Sequence, residues 1–456
     1  MPAAPVTSER AAVARLAVPL VGQQLGLQLM GAVDVALVGR YSPEALAAVG
    51  VANALIFTIS CVGMGVVMGL DAIAPQALGA GRPDVARRAL RDALQIAVWL
   101  GAGLTLVVMA SPALLGLAGV APDVADEARV FVWARAPGVI PFLIQVAWRS
   151  YLSAYGRTRA LVIAVVLGNV VNLVADYVLI FGDASLVRLG LPEVGLPPMG
   201  VLGAAIATSS VQLCTLLIYA AALRALHADA ATAPTSSTST LPAMLRVGVP
   251  IGLQLLAEVG VFALTGVLAA QLGTVAASGH NIAITIASFT FSLAIGIGSA
   301  TAVRVGLAVG AGDPARARRA GAAGLTLGAA LMSSTALVFV VAPDLLARLF
   351  TDDATIVAAT TPLIRIAAVF QLSDGAQAIA AGALRGAGDT RAALWANVIG
   401  HYGLGLGVSL GLAFGADLGA RGLWWGLSAG LTLTALVLLG RFFYKTRVTA
   451  GPLTAA

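Results

Sequence analysis

Twelve stretches of the chain stay apolar for about twenty residues or more, the length a helix needs to cross the hydrocarbon of a bilayer. They run over about 12–38, 46–77, 90–118, 128–154, 160–182, 199–223, 243–271, 276–308, 320–343, 355–384, 392–416 and 420–443. Inside hydrocarbon each backbone N–H and C=O must find a partner within the protein, which leaves helices and closed barrels as the spanning forms. These runs are rich in Ala, Leu, Val and Gly and lack the short alternating segments of a barrel strand. The expected fold is an all-α integral membrane protein with twelve transmembrane helices. Charge agrees: only 11% of the 456 residues are Asp, Glu, Lys or Arg, against roughly a quarter in a soluble domain. That excludes a cytosolic enzyme and a secreted domain. The net charge of +6 is scattered between apolar spans rather than pooled on one face, so nucleic acid is not an expected partner. Membrane lipid and small molecules are.

The basic residues set an orientation. With the N-terminus inside, the stretches expected on the cytoplasmic side hold 18 of the 27 Lys and Arg, among them Arg82, Arg87, Arg88, Arg91, Arg316, Arg318, Arg319 and the tail Arg441/Lys445/Arg447. The outer loops hold 5, and Arg135, Arg149, Arg304 and Arg365 lie within spans. This bias places both termini in the cytoplasm. Lys445 is the only lysine, an arginine bias that fits a G+C-rich bacterial source and hence the cytoplasmic (inner) membrane. His227, His280 and His401 have no metal-site spacing. GAG after the second and eighth spans lacks the lysine and preceding strand of a phosphate loop. No cofactor and no enzyme activity are expected, and energy would come from an ion gradient.

The two halves of the chain repeat. QALGAGRPDVARRA (76–89) matches LAVGAGDPARARRA (307–320) at 9 of 14 positions, an offset of 231. Farther on the offset is 232, with Gly156, Thr158 and Arg159 set against Gly388, Thr390 and Arg391. Six spans separate the copies, and an even number preserves orientation, so the repeat is parallel about an axis along the membrane normal. The expected organisation is a six-helix lobe over 1–226, a polar cytoplasmic linker over 227–242, and a second six-helix lobe over 243–456, acting as a monomer with a central cavity.

Five acids fall inside spans: Asp34, Asp71, Asp176, Glu258 and Asp374. A charge at the bilayer centre costs at least about 2.5–3.5 kcal/mol, so such residues line water, pair, or take up an ion. Asp34 in the first span and Asp176 in the fifth form one group. Asn172 lies one turn before Asp176 on the same face, and Thr208 with Ala204 in the sixth span offers further oxygens. Glu258 in the seventh span and Asp374 in the tenth form the other group. Phe370, Gln371 and Gln377 sit one turn from Asp374, a carboxylate beside a ring, which suits an organic cation. A small hard cation or a proton is what such oxygens suit, at Asp34, Asn172 and Asp176 or at Glu258 and Asp374. The acids do not obey the repeat: Asp34, Glu258, Asp374 and Asp176 map to Thr265, Leu27, Phe142 and Val408. Each lobe therefore carries its own site. Asp71 and Arg304, near the cytoplasmic ends of the second and eighth spans, either meet across the lobes and gate the inner side, or cap helices and pair locally within a lobe.

Read in order at this spacing, MGAVDVALVG, QALGAG, PIGLQLLAEVG, SATAVRVGLAVG and DGAQAIAAGALRGAGDT resemble the MATE family (multidrug and toxic compound extrusion), closest to its NorM-type members, over nearly the whole chain. The resemblance implies two six-helix bundles that open alternately to the two sides. It implies an antiporter that expels organic cations in exchange for Na+ or H+, with functional acids at Asp34, Glu258 and Asp374. Two positions depart from that pattern. Asp176 stands where NorM-type members usually have asparagine and resembles the DinF-type branch. Phe370 stands where they carry a tyrosine, keeping the ring without the hydroxyl. A lipid-linked precursor flippase of the related superfamily is the alternative, but it would want a basic cavity, and the span interiors are mostly acidic.

Overall fold

The computed structural model describes residues 8–117, 119–228, 236 and 238–448. Twelve helices in it are long and apolar enough to cross a membrane: α1 (Glu9–Tyr41), α2 (Pro43–Gly79), α3 (Pro83–Ala110), α4 (Pro122–Ala154), α5 (Arg159–Phe181), α6 (Gly200–Ala228), α7 (Leu241–Gln271), α8 (Thr274–Gly310), α9 (Pro314–Val341), α10 (Ala354–Gly386), α11 (Thr390–Gly415) and α12 (Ala420–Arg447). Among the described residues there is no strand. Helices α1–α6 form one bundle and α7–α12 the other. Large apolar side chains on the outside, such as Leu106, Leu217 and Leu436, stay exposed, as a bilayer-facing surface requires.

Helix ends follow local chemistry. Ser42 and Asp313 cap α2 and α9 by accepting the Ala45 and Arg316 backbone N–H at 2.9 and 2.7 Å. Gly81 and Gly312 adopt φ of +71° and +69° just past α2 and α8, and Gly156 and Gly388 adopt +70° and +74°. Left-handed backbone at a helix C-terminus favours glycine, so the repeat preserves its stops. One span differs from expectation. The third ends at Ala110 rather than near 118, because Pro112 offers no N–H to continue the helix, and a separate short helix, Ala113–Leu117, follows. The linker expected over 227–242 is shorter too: α6 runs to Ala228, α7 begins at Leu241, and 229–235 and 237 lie outside the described residues. Asp92 of α3, fully buried, takes the Thr240 N–H at 2.6 Å and hydroxyl at 2.8 Å. This ties the start of the second bundle to the first.

The bundles meet in reciprocal pairs. A Cβ on Gly79 would strike the Leu307 carbonyl, and one on Gly310 would strike the Gln76 carbonyl. Residues 79 and 310, and 76 and 307, are equivalent at the offset of 231. Gly65 presses on Gly252 in the same way that Gly296 presses on Val21, again an exchange of equivalent positions. Reciprocity of this kind is what a two-fold axis between the copies demands. These contacts lie at or toward the arginine-rich end, where α2 closes on α7 and α8 and Gln76 Nε2 donates to the Gly386 carbonyl of α10 at 2.8 Å.

At the opposite end, Asp183 braces the α5–α6 connection by accepting the Val194 and Gly195 N–H at 3.1 and 2.9 Å. The Val194 hydrogen bond leads in holding its carboxyl below the usual aspartate value. A lowered folded value stabilises the loop above the ordinary aspartate range, and the gain disappears as pH falls through the folded value. Protection of the Val194 and Gly195 amides, the exchange rate set against the intrinsic rate at each pH, should therefore fall in acid, and Asp183→Asn should remove that dependence. An identical acid loss of protection in the variant would refute this.

Candidate functional site

In the first bundle α5 carries Asn172 and Asp176 one turn apart, both fully buried, and α1 brings the half-buried Asp34 against them. The Asn172 Nδ2 donates to Asp34 Oδ1 and to Asp176 Oδ2, each at 2.7 Å. One amide thus bridges two carboxylates from different helices. Asn172 Oδ1 and Asp176 Oδ1 are shielded from solvent and have no hydrogen-bond partner among the described residues. Unsatisfied buried oxygens beside a second acid suit a hard cation or a shared proton. Thr208 donates its hydroxyl to the Ala204 carbonyl at 2.9 Å. The two oxygens expected from α6 therefore satisfy each other first.

In the second bundle α7 supplies Glu258 and α10 supplies Asp374, buried and near enough for their charges to interact. Asn397 of α11 reaches Glu258 Oε2 with its Nδ2 at 3.5 Å. Asp374 Oδ1, Gln377 Oε1, Asn397 Oδ1 and His401 Nε2 are shielded and without partners among the described residues. Gln371 faces α9, accepting from the Thr335 hydroxyl at 3.1 Å. Phe370 lies edge-on to Trp424 at 5.3 Å and to Phe262 at 6.2 Å, and His401 meets Phe262 at 6.4 Å. Phe370, one turn before Asp374 on α10, thus belongs to an aromatic group, while the amide of Asn397 contacts Glu258.

Sequence reasoning missed Asn397 as a partner of Glu258. The signal was present, since Asn397 and His401 are polar and one turn apart in an apolar span, and the His401 ring bonds the Asn397 carbonyl at 3.0 Å. The π-helical stretch Ile399–Gly405 carries His401, and such wide turns gather at functional sites.

The expected Asp71–Arg304 contact is not formed. Asp71 accepts from Arg385 Nη1 of α10 at 3.3 Å. Arg304 instead grips Glu9 of α1, with Nη2 at 2.9 Å from each carboxylate oxygen and Nε at 3.2 Å, and Arg316 Nε joins Glu9 at 2.9 Å. Both acids belong to the first bundle and all three arginines to the second. The inter-bundle character holds while the partners change, because Glu9, at the start of α1, lies within reach of Arg304 and leaves Asp71 to α10. Arg385 is also within the field of Glu258, which links this closure to the second acid site. Breaking a largely buried pair costs about 3–5 kcal/mol. Asp71→Arg and Arg385→Asp should each depress transport strongly, and the double reversal should restore part of it. No recovery in the double variant, measured as flux per folded protein, would sink the pair.

Paired bundles closed at one end, with partly satisfied acids buried in both, make a membrane transporter and not an enzyme. The MatE family model matches residues 19–178 and again 250–410, one match per copy of the repeat. The probable multidrug resistance protein NorM of Deinococcus radiodurans is 36% identical over 455 residues, covering 98% of each chain. The multidrug resistance protein NorM of Burkholderia vietnamiensis is 35% identical, over 97% of this chain and 96% of its own. The crystal structure of the eukaryotic MATE transporter AtDTX14 superposes with a TM-score of 0.86 at 20% identity, covering 96% of both chains. The chain belongs to the MATE family of multi-pass membrane transporters.

Proposed function

We propose that the protein is a multidrug efflux antiporter of the bacterial cytoplasmic membrane, exporting organic cations in exchange for Na+ or H+ by alternating access. The observation that carries this reading is the pair of separate acid sites, Asp34–Asn172–Asp176 and Glu258–Asp374, each with shielded oxygens left unpartnered. The relatives named as multidrug resistance proteins support it. A bare carboxylate pair resists burial, so the cavity closes over it only once a cation or proton has neutralised it. An organic cation and a coupling ion that need the same carboxylates displace one another, and this competition is the exchange. The Phe370 ring and its aromatic neighbours suit a flat, desolvated cation better than a hydrated one. Both termini then face the cytoplasm, so the arginine-rich closure seals the inner side. The working unit is a monomer, and no cofactor takes part.

The test is efflux of a fluorescent organic cation from proteoliposomes, with a Na+ gradient and a pH gradient imposed separately. Transport driven by one of them is expected and names the ion. No transport under either, with monodisperse folded protein, would overturn the antiport reading.

A further inference from the structure

The outer surface of the second bundle changes character at one level near its arginine-rich end. On α12, Leu436 and Val437 are exposed, and one and two turns farther on the helix exposes Arg441 and Tyr444. Leu431, Leu438 and Phe442, on another face, are buried. The neighbouring α11 repeats the change toward the same end, exposing Ile399, Trp395 and Arg391 at one-turn spacing. Apolar, then aromatic and cationic, is the order in which a helix leaves hydrocarbon through the headgroups. Asp389, in the turn between α10 and α11, joins the two helices there. Its Oδ2 accepts from Arg441 Nε at 2.8 Å and lies 3.6 Å from the Lys445 ammonium. One carboxylate oxygen thus serves two cations, and the terminal nitrogens of Arg441 have no hydrogen-bond partner among the described residues. No other acid is at hand. Asp313 caps α9, while Glu9 and Asp71 of the first bundle are held by Arg304, Arg316 and Arg385. Arg318 rests over the Phe443 ring at 5.6 Å, on the other side of α12. Arg441 and Lys445 therefore keep an excess of one positive charge over Asp389 at the headgroup level.

We propose that Arg441 and Lys445 form a phosphate site for an anionic phospholipid, whose acyl chains lie along the exposed apolar side chains of α11 and α12. A phosphodiester set against the free edge of the guanidinium accepts from its terminal nitrogens and from the ammonium, as charge-assisted pairs favour. A headgroup with a net negative charge, such as phosphatidylglycerol, neutralises the excess. A zwitterionic headgroup brings its own ammonium toward two cations and gains no net charge pairing. The occupant is a lipid rather than a free anion because Leu436, Val437 and Ile399 stand exposed one to two turns deeper in the span. The site needs only the membrane-spanning fold and stands whether or not the chain exchanges ions.

The test is lipid binding to the full-length protein in detergent micelles, counted by native mass spectrometry as phosphatidylglycerol or phosphatidylethanolamine is titrated in. The first phosphatidylglycerol should bind at a lower concentration than the first phosphatidylethanolamine. A basic residue beside an anionic headgroup is worth roughly fivefold in affinity, so Arg441→Gln with Lys445→Gln should weaken the first phosphatidylglycerol by about 25-fold. Phosphatidylethanolamine should be unaffected. Asp389→Asn, which frees both cations, should tighten phosphatidylglycerol binding by about fivefold, a gain that misfolding cannot mimic. Arg82→Gln with Arg91→Gln removes the same charge from exposed positions of the first bundle and should change nothing. Unchanged binding in the Arg441 and Lys445 double variant overturns the proposal, as does an equal loss in the Arg82 and Arg91 pair, which would show a diffuse field instead of a site. No preference for phosphatidylglycerol, or weaker binding by Asp389→Asn, also overturns it. Displacement of the lipid by inorganic phosphate would assign the pair to a soluble anion and overturn it as well.

Discussion

Asp374→Asn should insert, fold and purify as the wild type does, and should carry no organic cation against either gradient. The carboxyl is buried beside Glu258 with one oxygen unpartnered, so the amide fits the space and removes the charge for which ion and substrate compete. Coupling free energies between linked sites are about 1–3 kcal/mol, roughly 5–150-fold in affinity, and losing that term leaves no exchange. Asp34→Asn should have the same outcome from the other bundle, because the amide cannot serve as the second anionic arm of the Asn172 bridge. The measurement is flux per reconstituted molecule, beside a monodispersity check. Wild-type flux from both variants would refute the assignment of these acids.

Gly252→Leu should have the second large effect, and on conformation rather than on ion binding. A Cβ at this position would stand 2.7 Å from the Val62 carbonyl, and Gly65 already presses on the Gly252 backbone. Backbone cannot swing aside as a side chain can. Overpacking of this kind costs about 1–3 kcal/mol or more, and every 1.4 kcal/mol is roughly a tenfold change in a two-state population. The arginine-rich end should therefore open and the far end close. Spin labels at Tyr41 and Gln271, at the far ends of α1 and α7, should show a shorter distance in the variant. Cys61 and Cys214 are free thiols and would first be replaced by serine. An unchanged distance distribution would show that the glycine contacts do not set the equilibrium.

Much of the architecture was legible in the sequence because a bilayer makes span length and apolarity obligatory. The repeat was legible because its stops, Gly81 and Gly312, need a backbone conformation that glycine favours. Both acid clusters were found, since a charge in a span stands out wherever it lies. What stayed hidden depended on reach in three dimensions. The partner of Asp71 is Arg385, eleven residues after Asp374, and no offset in the chain points from one to the other. Asn397 was passed over because an asparagine costs less in a span than an aspartate and draws less notice. The Thr208–Ala204 bond is local, and a hydroxyl one turn after a carbonyl on a helix commonly returns to it.

The reciprocal glycine contacts also constrain how such a chain could have diverged from a duplicated half. Each interface position meets a non-equivalent position of the other copy, so a bulky change in either copy collides with backbone supplied by the other. Drift at this seam must be matched across two separate stretches of one gene. The bundle interiors carry no such cross-obligation, and an acid gained in one need not be mirrored in the other. A seam held in common and interiors free to differ give one chain two unlike acid clusters on a nearly symmetrical frame.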